Sequence, residues 1–275
     1  MQTKEKPIGV FDSGLGGLTV VKKLIEQLPN EDIVYFGDTA RVPYGDRSRE
    51  TILEYTRQDM AFLLSQDVKA VCIACNTADS MARTEMEKLY TLPIVGAVLP
   101  AAKTAVRVTL NRKIGVIGTH ATVASGAYKN SIASLDPACT VYSVACPLLV
   151  PLVEEGRFHK GDAVTESVLA DYLAPLREKG IDTIILGCTH YPLLYDMVAS
   201  LLPGVFIICS GFASVDYLKN ELAGRNLLND RQTPGKTHFF VSDAPEKFAA
   251  NASLFLGRPI GGQVKKVSVG QGVCD

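Results

Sequence analysis

Two short segments of this chain each place a thiol between an apolar run and polar residues that begin a helix. They are Cys75-Asn76-Thr77 and Cys188-Thr189-His190. Unpaired N–H groups at a helix start bind carboxylates and lower the pKa of a thiol there. The ordinary pKa values of His and Cys, about 6.5 and 8.5, are close enough for His190 to exchange a proton with Cys188. These residue types indicate acid-base chemistry by thiols on a small carboxylate.

Each segment alone also has a plainer interpretation. A free cysteine is usually a small buried hydrophobic residue, and Asn, Thr or His beside it is often an ordinary helix cap. The two segments, however, occupy matching places in two similar halves. Gly9–Gly14 opens one half and resembles Gly115–His120 in the other, and the cysteine segments follow at nearly equal offsets. Packing alone does not explain two thiols at corresponding positions.

Cys72 and Cys75 also form a C-x-x-C pattern, which is typical of thioredoxin-like redox sites. Cys72 falls inside a predicted strand, where residues three apart point to opposite faces, so the two sulfurs should diverge. No second C-x-x-C and no H-x-x-x-H accompanies the pattern, so we expect no metal site.

Eight short apolar runs recur along the chain. They are rich in β-branched residues and lack polar alternation, as in strands that are buried on both faces. Helical patterns lie between most of them, the clearest being the stripe of Val164, Val168, Tyr172 and Leu176. Alternation of this kind predicts parallel sheets covered by helices. The predicted strands are Ile8–Phe11, Ile33–Phe36, Ala70–Ala74, Ile114–Ile117, Val141–Val144, Thr183–Leu186, Val205–Cys209 and His238–Val241.

We therefore expect an α/β fold with two pseudo-symmetric, doubly wound, flavodoxin-like parallel-sheet domains that face a shared cleft. Ligands of such sheets bind outside the carboxyl ends of the strands, so the two thiols should lie on opposite sides of one small molecule. The crossing between the domains is expected near Pro93–Pro100. The run after Cys209 is too short for a third domain and should complete the first, with a helix at Pro245–Leu256. The expected division is 1–97 plus 210–275, with Asp12 and Cys75, and 98–209, with Cys188 and His190.

Further polar residues follow the same strand ends. The turn at Asp12-Ser13-Gly14, with Asp38 after the next strand, partly mimics a dinucleotide-binding fingerprint. Thr19 stands where the third glycine belongs, so we expect a carboxylate-binding loop instead, with Asp12 directed at a thiol or an ammonium group. Tyr44-Gly45 would bring a phenol and backbone donors to this edge. In the second half Thr119, Thr122 and Glu154 are further candidates, although any of these residues also fits an ordinary turn or cap.

Composition and charge exclude several classes of protein. The chain has 275 residues, with 47% hydrophobic and 21% charged residues, which suits two globular domains rather than a disordered chain. A formal net charge of -1 without a basic run argues against nucleic acid as a partner. There is no signal-peptide pattern and no apolar run of about 18 residues, so we expect a cytosolic protein that does not enter a membrane. Seven scattered cysteines, an odd number, should be reduced.

Six segments together resemble the signature segments of the glutamate racemase family: DSGLGG, DTARVPYG, ACNTA, GVIGTHAT, PLVEEG and GCTHYPLL. The resemblance runs in order over the whole chain and includes Asp243–Phe248 near its end. It is specific because two cysteine segments with different neighbours both fit.

The resemblance implies interconversion of L- and D-glutamate without pyridoxal phosphate, supplying D-glutamate for bacterial peptidoglycan, with no cofactor and a homodimeric assembly. It also implies that Cys75 takes the α-proton from D-glutamate and Cys188 from L-glutamate, assisted by Asp12 and His190 respectively. The implied substrate-binding residues are Asp12, Ser13, Tyr44, Gly45, Asn76, Thr77, Thr189 and His190.

Two alternatives stay open at this point. A racemase of the same superfamily that acts on aspartate or a hydantoin would carry the same pair of thiols, and the preference for glutamate rests on the resemblance alone. A protein of a different class, a carboxylate-binding module with structural thiols, would bind the ligand without turnover.

Overall fold

The computed structural model describes residues 3–260 and 263–270, and it contains two parallel β-sheets flanked by helices. The strands are β1 Ile8–Asp12, β2 Ile33–Gly37, β3 Ala70–Ile73, β4 Ile94–Val95, β5 Lys113–Gly118, β6 Thr140–Ala145, β7 Thr183–Gly187, β8 Phe206–Cys209, β9 Thr237–Val241 and β10 Val264–Lys266. The first sheet has the order β10-β9-β2-β1-β3-β4, and the second has the order β6-β5-β7-β8.

Helices connect successive strands on both faces of the sheets. They are α1 Leu18–Gln27, α2 Arg49–Ser65, α3 Asn76–Leu89, α4 Val98–Val108, α5 His120–Ala124, α6 Ala127–Leu135, α7 Leu149–Glu154, α8 Ala163–Glu178, α9 Tyr195–Leu201, α10 Ser210–Gly224 and α11 Pro245–Leu256. Short 3-10 helices occupy Thr3–Glu5 and Tyr191–Leu194.

The predicted α/β fold with two parallel sheets is confirmed. All eight predicted strands are present with ends within one residue of the prediction, and the predicted helix at Pro245–Leu256 is α11. The four strands β2-β1-β3-β4 repeat the spatial order of β6-β5-β7-β8, which agrees with the similarity between the halves. Sequence analysis missed β4 and β10 because they have only two and three residues, too few for a pattern.

Burial on both faces was predicted for every strand, and this is wrong for β6. Every residue of β1, β2, β3 and β7 is buried, whereas none in β6 is. The reason is topological, since β6 is an edge strand of the second sheet and its apolar residues are only partly covered.

The chain crosses between the sheets twice. It leaves the first sheet after β4 and enters the second through α4, then returns from β8 through α10 to β9. The segments that make the two crossings contact each other. The Ser214 hydroxyl on α10 lies 3.1 Å from the carbonyl oxygen of Gly96, which lies between β4 and α4. The division into 1–97 plus 210–275 and 98–209 stays a prediction.

Candidate active site

A cavity of about 330 Å³ lies beyond the carboxyl ends of the strands and is lined from both sheets. Cys75, directly before α3, and Cys188, directly after β7, both line it. Asp12 and Thr122 are buried and are not part of the lining. The other predicted residues that line the cavity are Ser13, Tyr44, Gly45, Asn76, Thr77, Thr119, Glu154, Thr189 and His190.

Cys75 is the residue that precedes the first turn of α3, and its thiol lies 3.7 Å from the Ser13 hydroxyl. Burial, with a smaller contribution from the Asp12 carboxylate, raises the pKa of Cys75 to about 12. The expectation that the helix start would lower this pKa is therefore wrong in its net direction. The Ala78 N–H does favour the thiolate, but desolvation is the larger effect. Cys75 thus rests as a protonated thiol that can donate a proton.

Cys188 begins a chain of three polar groups. Its sulfur lies 3.8 Å from Nδ1 of His190, and Nε2 of His190 lies 3.0 Å from a carboxylate oxygen of Glu154. Burial alone would lower the pKa of His190, but the contacts with Cys188 and Glu154 raise it to about 10. The imidazole is therefore protonated near neutral pH and can donate to the sulfur.

Asp12, the last residue of β1, connects the two halves. One carboxylate oxygen accepts a hydrogen bond from the Gly14 N–H at 3.0 Å, and the other accepts one from the Thr189 hydroxyl at 3.3 Å. Burial raises the pKa of Asp12, although the nearby His190 and these hydrogen bonds act in the opposite direction. Its direct contact with substrate stays a prediction, because the carboxylate is fully buried and lies outside the cavity lining.

The start of α3 presents an amide to the cavity. The Asn76 carbonyl oxygen accepts a hydrogen bond from the Tyr128 hydroxyl at 2.5 Å, while the amide nitrogen is buried and has no partner among residues 3–260 and 263–270. A buried donor without a partner is unfavourable unless a ligand satisfies it. Beside it, the Thr77 hydroxyl lies 2.9 Å from that of Thr119 and 3.3 Å from that of Thr122. Thr122 therefore supports the lining rather than forming it.

Tyr44 lies in a loop of which five consecutive residues, 42–46, line the cavity. Its side chain is buried, and its hydroxyl contacts the carboxyl groups of Asp38 and Asp59, the latter at 2.9 Å. Asp38 directly follows β2, so the phenol lies at the carboxyl edge of the first sheet, and a direct role of Tyr44 in binding substrate stays a prediction. The loop meets the second half through Gly45, whose carbonyl accepts the Ala121 N–H at 3.0 Å.

A model of the Asp/Glu/Hydantoin racemase family matches residues 8–218. The chain belongs to this family. It is 46% identical to the glutamate racemase of Syntrophus aciditrophicus over 93% of this chain and 94% of that protein. It is 42% identical to the glutamate racemase of Geobacter metallireducens with the same coverage. The crystal structure of glutamate racemase from Francisella tularensis in complex with D-glutamate has a TM-score of 0.90 at 39% identity, over 96% of this chain and 98% of that one.

Two glycines of the DSGLGG segment, Gly16 and Gly17, allow close packing in this racemase-family chain, and Gly16 does so where the two halves meet. A Cβ atom on Gly16 would lie 2.2 Å from the Thr189 hydroxyl and 2.5 Å from Nδ1 of His190. One on Gly17 would lie 2.5 Å from the Cβ of Asp12. Sequence analysis interpreted the segment as a carboxylate-binding loop. The structure adds that its second part makes room for the residues beside Cys188.

Sequence analysis also missed a wall of the cavity formed by Pro147, Val150, Pro151 and Glu155 around α7. The PLVEEG segment was the available signal, but only Glu154 in it drew attention. Apolar residues in a binding site look like ordinary core residues in a sequence, and their place at the cavity depends on the packing of α7, which contacts the 3-10 helix Tyr191–Leu194.

The cysteines outside the cavity fit structural roles. Cys72 packs into the core on one side of the first sheet and Cys75 into the core on the other, as expected for residues three apart on a strand. Cys72, Cys139, Cys146 and Cys209 are free thiols, and Cys274 lies outside the described residues. Within the described parts of the chain, no three His, Cys, Asp or Glu side chains converge as metal ligands. Nor does any helix there have the length and apolar character to cross a membrane.

The contact between His190 and Glu154 predicts a pH dependence of stability. The pKa of His190 is about 10 in the folded state and about 6.5 in an unfolded chain. The folded state holds this proton more tightly, so the contribution to stability is complete below about pH 6.5 and is lost as the pH rises toward 10. We expect the melting temperature to fall between about pH 6.5 and 7.5, where few unfolded thiols are ionised because their pKa is about 8.5.

Glu154→Gln should flatten this fall, because it removes one of the two contacts that raise the pKa of His190. Calorimetric melting temperatures of both proteins across this range measure the difference. If the melting temperatures of the two proteins fell equally with pH, the contact between Glu154 and His190 would not be what holds the proton on His190.

Proposed function

We propose that this chain interconverts L- and D-glutamate by moving the α-proton between Cys75 and Cys188, without a cofactor. The observation that carries the proposal is the shared cavity. It holds one thiol from each sheet, and each thiol follows the third strand of its half in chain order. Family membership, and the identity to glutamate racemases over nearly the whole chain, support the same reaction.

The proposed reaction needs one thiolate and one thiol at a time. With L-glutamate, the Cys188 thiolate removes the α-hydrogen as a proton, and the electron pair stays on Cα and the α-carboxylate. The Cys75 thiol then gives its proton to the opposite face, which yields D-glutamate and leaves Cys75 as thiolate and Cys188 as thiol. The reverse reaction exchanges the two roles. The raised pKa of Cys75 suits the step in which it donates a proton.

Polar groups beside the thiols support the charge that develops on the substrate. The unpartnered Asn76 amide and the N–H groups at the start of α3 are placed to bind the α-carboxylate, which takes up negative charge as the proton leaves. On the other side, protonated His190 stabilises the Cys188 thiolate before it removes the proton, while Glu154 orients the ring.

The choice of glutamate over the alternatives rests on the comparisons. Relatives that share more than 40% identity with nearly the whole chain are glutamate racemases, which argues against aspartate or a hydantoin as the main substrate. The same relatives argue against a binding module, since they are enzymes. D-glutamate from this reaction supplies peptidoglycan synthesis. A homodimer, a cytoplasmic location and the absence of a nucleic-acid partner are further proposals that the sequence resemblance and composition support.

The proposal is tested by following optical activity with either L-glutamate or D-glutamate as the only substrate. The purified protein, dialysed against a chelator and free of pyridoxal phosphate, should drive the signal of either enantiomer to zero, because mirror-image molecules have equal free energy. L-aspartate serves as the control substrate and should be converted much more slowly. Turnover that appears only after a metal ion or pyridoxal phosphate is added would contradict the cofactor-independent mechanism.

A further inference from the structure

A cluster of polar side chains holds the cavity loop, residues 42–46, in place. These side chains have no part in the proposed proton transfers. The carboxyl groups of Asp38 and Asp59 are fully buried, and Arg41 bridges them, with its Nε 2.5 Å from Asp38 and a terminal nitrogen 2.9 Å from Asp59. Gln58 also contacts the guanidinium, and the ring of Tyr55 lies beneath it at 4.2 Å. Four groups thus surround one partly buried cation, Arg41, which immediately precedes the loop in sequence.

The Tyr44 hydroxyl completes this cluster, and it has hydrogen-bond contacts with both carboxyl groups. A phenol has one hydrogen and can donate only once. One of the two carboxyl groups must therefore be protonated and donate to the phenol oxygen. Burial and the neighbouring Asp38 charge raise the pKa of Asp59 well above its ordinary value, which favours its protonated form. The arrangement is Asp59 donating to Tyr44 and Tyr44 donating to Asp38.

This assignment also balances charge. With Asp59 neutral, the Arg41 cation does not face two buried carboxylate charges, which limits the cost of burying an unpaired ion. Ser242 adds to it from β9's end, because its hydroxyl donates to Asp38 at 2.8 Å and accepts the Ala40 N–H at 2.8 Å.

The loop in turn touches the second half of the molecule. The Gly45 carbonyl accepts the Ala121 N–H at 3.0 Å, and a Cβ atom on Gly45 would lie 2.8 Å from the Cβ of Thr119. Thr119 lines the cavity and bonds to Thr77 beside Cys75. Contacts therefore run from Asp59 on α2, through the phenol of Tyr44, to the wall where the halves meet.

We propose that Asp59 is a positioning residue for substrate binding, which acts through the Tyr44 hydroxyl to hold the cavity loop against the second half. Its effect on kinetics rests on the proposed racemisation of glutamate. The thiols lie on other segments, so releasing the loop should weaken substrate binding more than it slows the proton transfers. If only about a tenth of the molecules held the loop in place, the apparent KM would rise about tenfold.

The variants separate a protonated Asp59 from an ionised one. Asp59→Asn keeps the shape and can donate from its amide to Tyr44 while its oxygen accepts from Arg41, so KM should stay within about twofold of the wild type. Asp59→Leu has no polar atoms, and Tyr44→Phe lacks the hydroxyl. Both should raise KM about tenfold while kcat changes by less than about threefold. An Asp59→Asn variant as impaired as Asp59→Leu would overturn the assignment.

Amide hydrogen exchange measures how firmly the loop is held, and the measurement does not depend on turnover. The amides of Arg41 and Arg47 are hydrogen-bonded within this segment, so peptides covering 39–47 should exchange faster in Asp59→Leu and Tyr44→Phe and regain protection with saturating D-glutamate. Thr109→Val is the matched control, because it removes a hydroxyl that donates to Asp182 at 2.6 Å in a turn outside the cavity lining. It should lower the melting temperature without changing KM or loop exchange.

The outcomes decide between the hypotheses. Lower stability with unchanged KM and unchanged loop exchange would assign Asp59 a purely structural role and overturn the proposal. If Asp59→Leu does not fold, Tyr44→Phe carries the same test. An inactive wild type would instead refute the proposed function, while the exchange measurement would still show whether Asp59 holds the loop.

Discussion

Alanine at either Cys75 or Cys188 is expected to abolish racemisation. In the proposed reaction each thiol serves one face of Cα, so the remaining thiol can remove or return a proton on its own face but cannot invert the centre. Loss of one acid-base group commonly costs about 10²–10⁴ in rate, and here no neighbouring side chain replaces a thiol on the missing face. Since the enantiomers have equal free energy, kcat/KM must fall by the same factor in both directions. Initial rates from L- and D-glutamate measure it.

The fold should survive both substitutions. Each thiol borders the cavity, so its removal enlarges an existing space rather than opening a new void in the core. Cys72→Ala and Cys209→Ala are the matched controls, because these cysteines are buried and do not line the cavity. They should reduce the melting temperature and leave kcat/KM close to that of the wild type. A folded but inactive Cys72→Ala protein would restore the dithiol interpretation of C-x-x-C.

Turnover of L-glutamate in D2O should place deuterium on nearly all of the D-glutamate formed at low conversion. Cys188 removes the original hydrogen on one face, and Cys75, whose thiol has exchanged with solvent, delivers deuterium to the other. The L-glutamate that has not yet reacted should keep its hydrogen. Starting from D-glutamate, the roles and the labels are reversed. Mass spectrometry after chiral separation measures both pools.

A single base that served both faces would return the original hydrogen to part of the product. Substantial unlabelled D-glutamate at low conversion would therefore contradict separate roles for Cys75 and Cys188. Incubation of D-glutamate in D2O without protein is the control for exchange by solvent alone.

Several features of this molecule could be predicted from sequence because they depend on local patterns. Strands such as β1 and β7 are buried on both faces, so apart from Asp12 and Thr183 at their ends they have no polar side chains and their limits can be recognised in the sequence. A thiol directly before polar residues at such an end must lie at the carboxyl edge of a parallel sheet. Cys75 and Cys188 could therefore be assigned to one cavity once the chain was recognised as two similar halves.

Other features depend on residues far apart in the chain, and local patterns do not report them. The direction of the Tyr44 hydroxyl is set by Asp59 on another element, and the ring of His190 is oriented by Glu154 from α7. The net pKa shift of Cys75 depends on how completely the folded protein excludes water. Burial of this kind depends on how the whole protein packs. The helix-start argument therefore identified the smaller effect on the pKa of Cys75, the lowering by the Ala78 N–H, and missed the larger one, the raising by burial.

The repeated strand order has a consequence for handedness. Cys75 follows the third strand of one half and Cys188 the third strand of the other, so exchanging the halves exchanges the two thiols that are proposed as bases. L- and D-glutamate differ by reflection at Cα, and the intermediate between them is nearly flat. In the proposed reaction, two similar halves offer that flat intermediate one thiol above and one thiol below. Neither half alone can distinguish an enantiomer and also convert it, so stereochemical inversion belongs to the pairing of the halves.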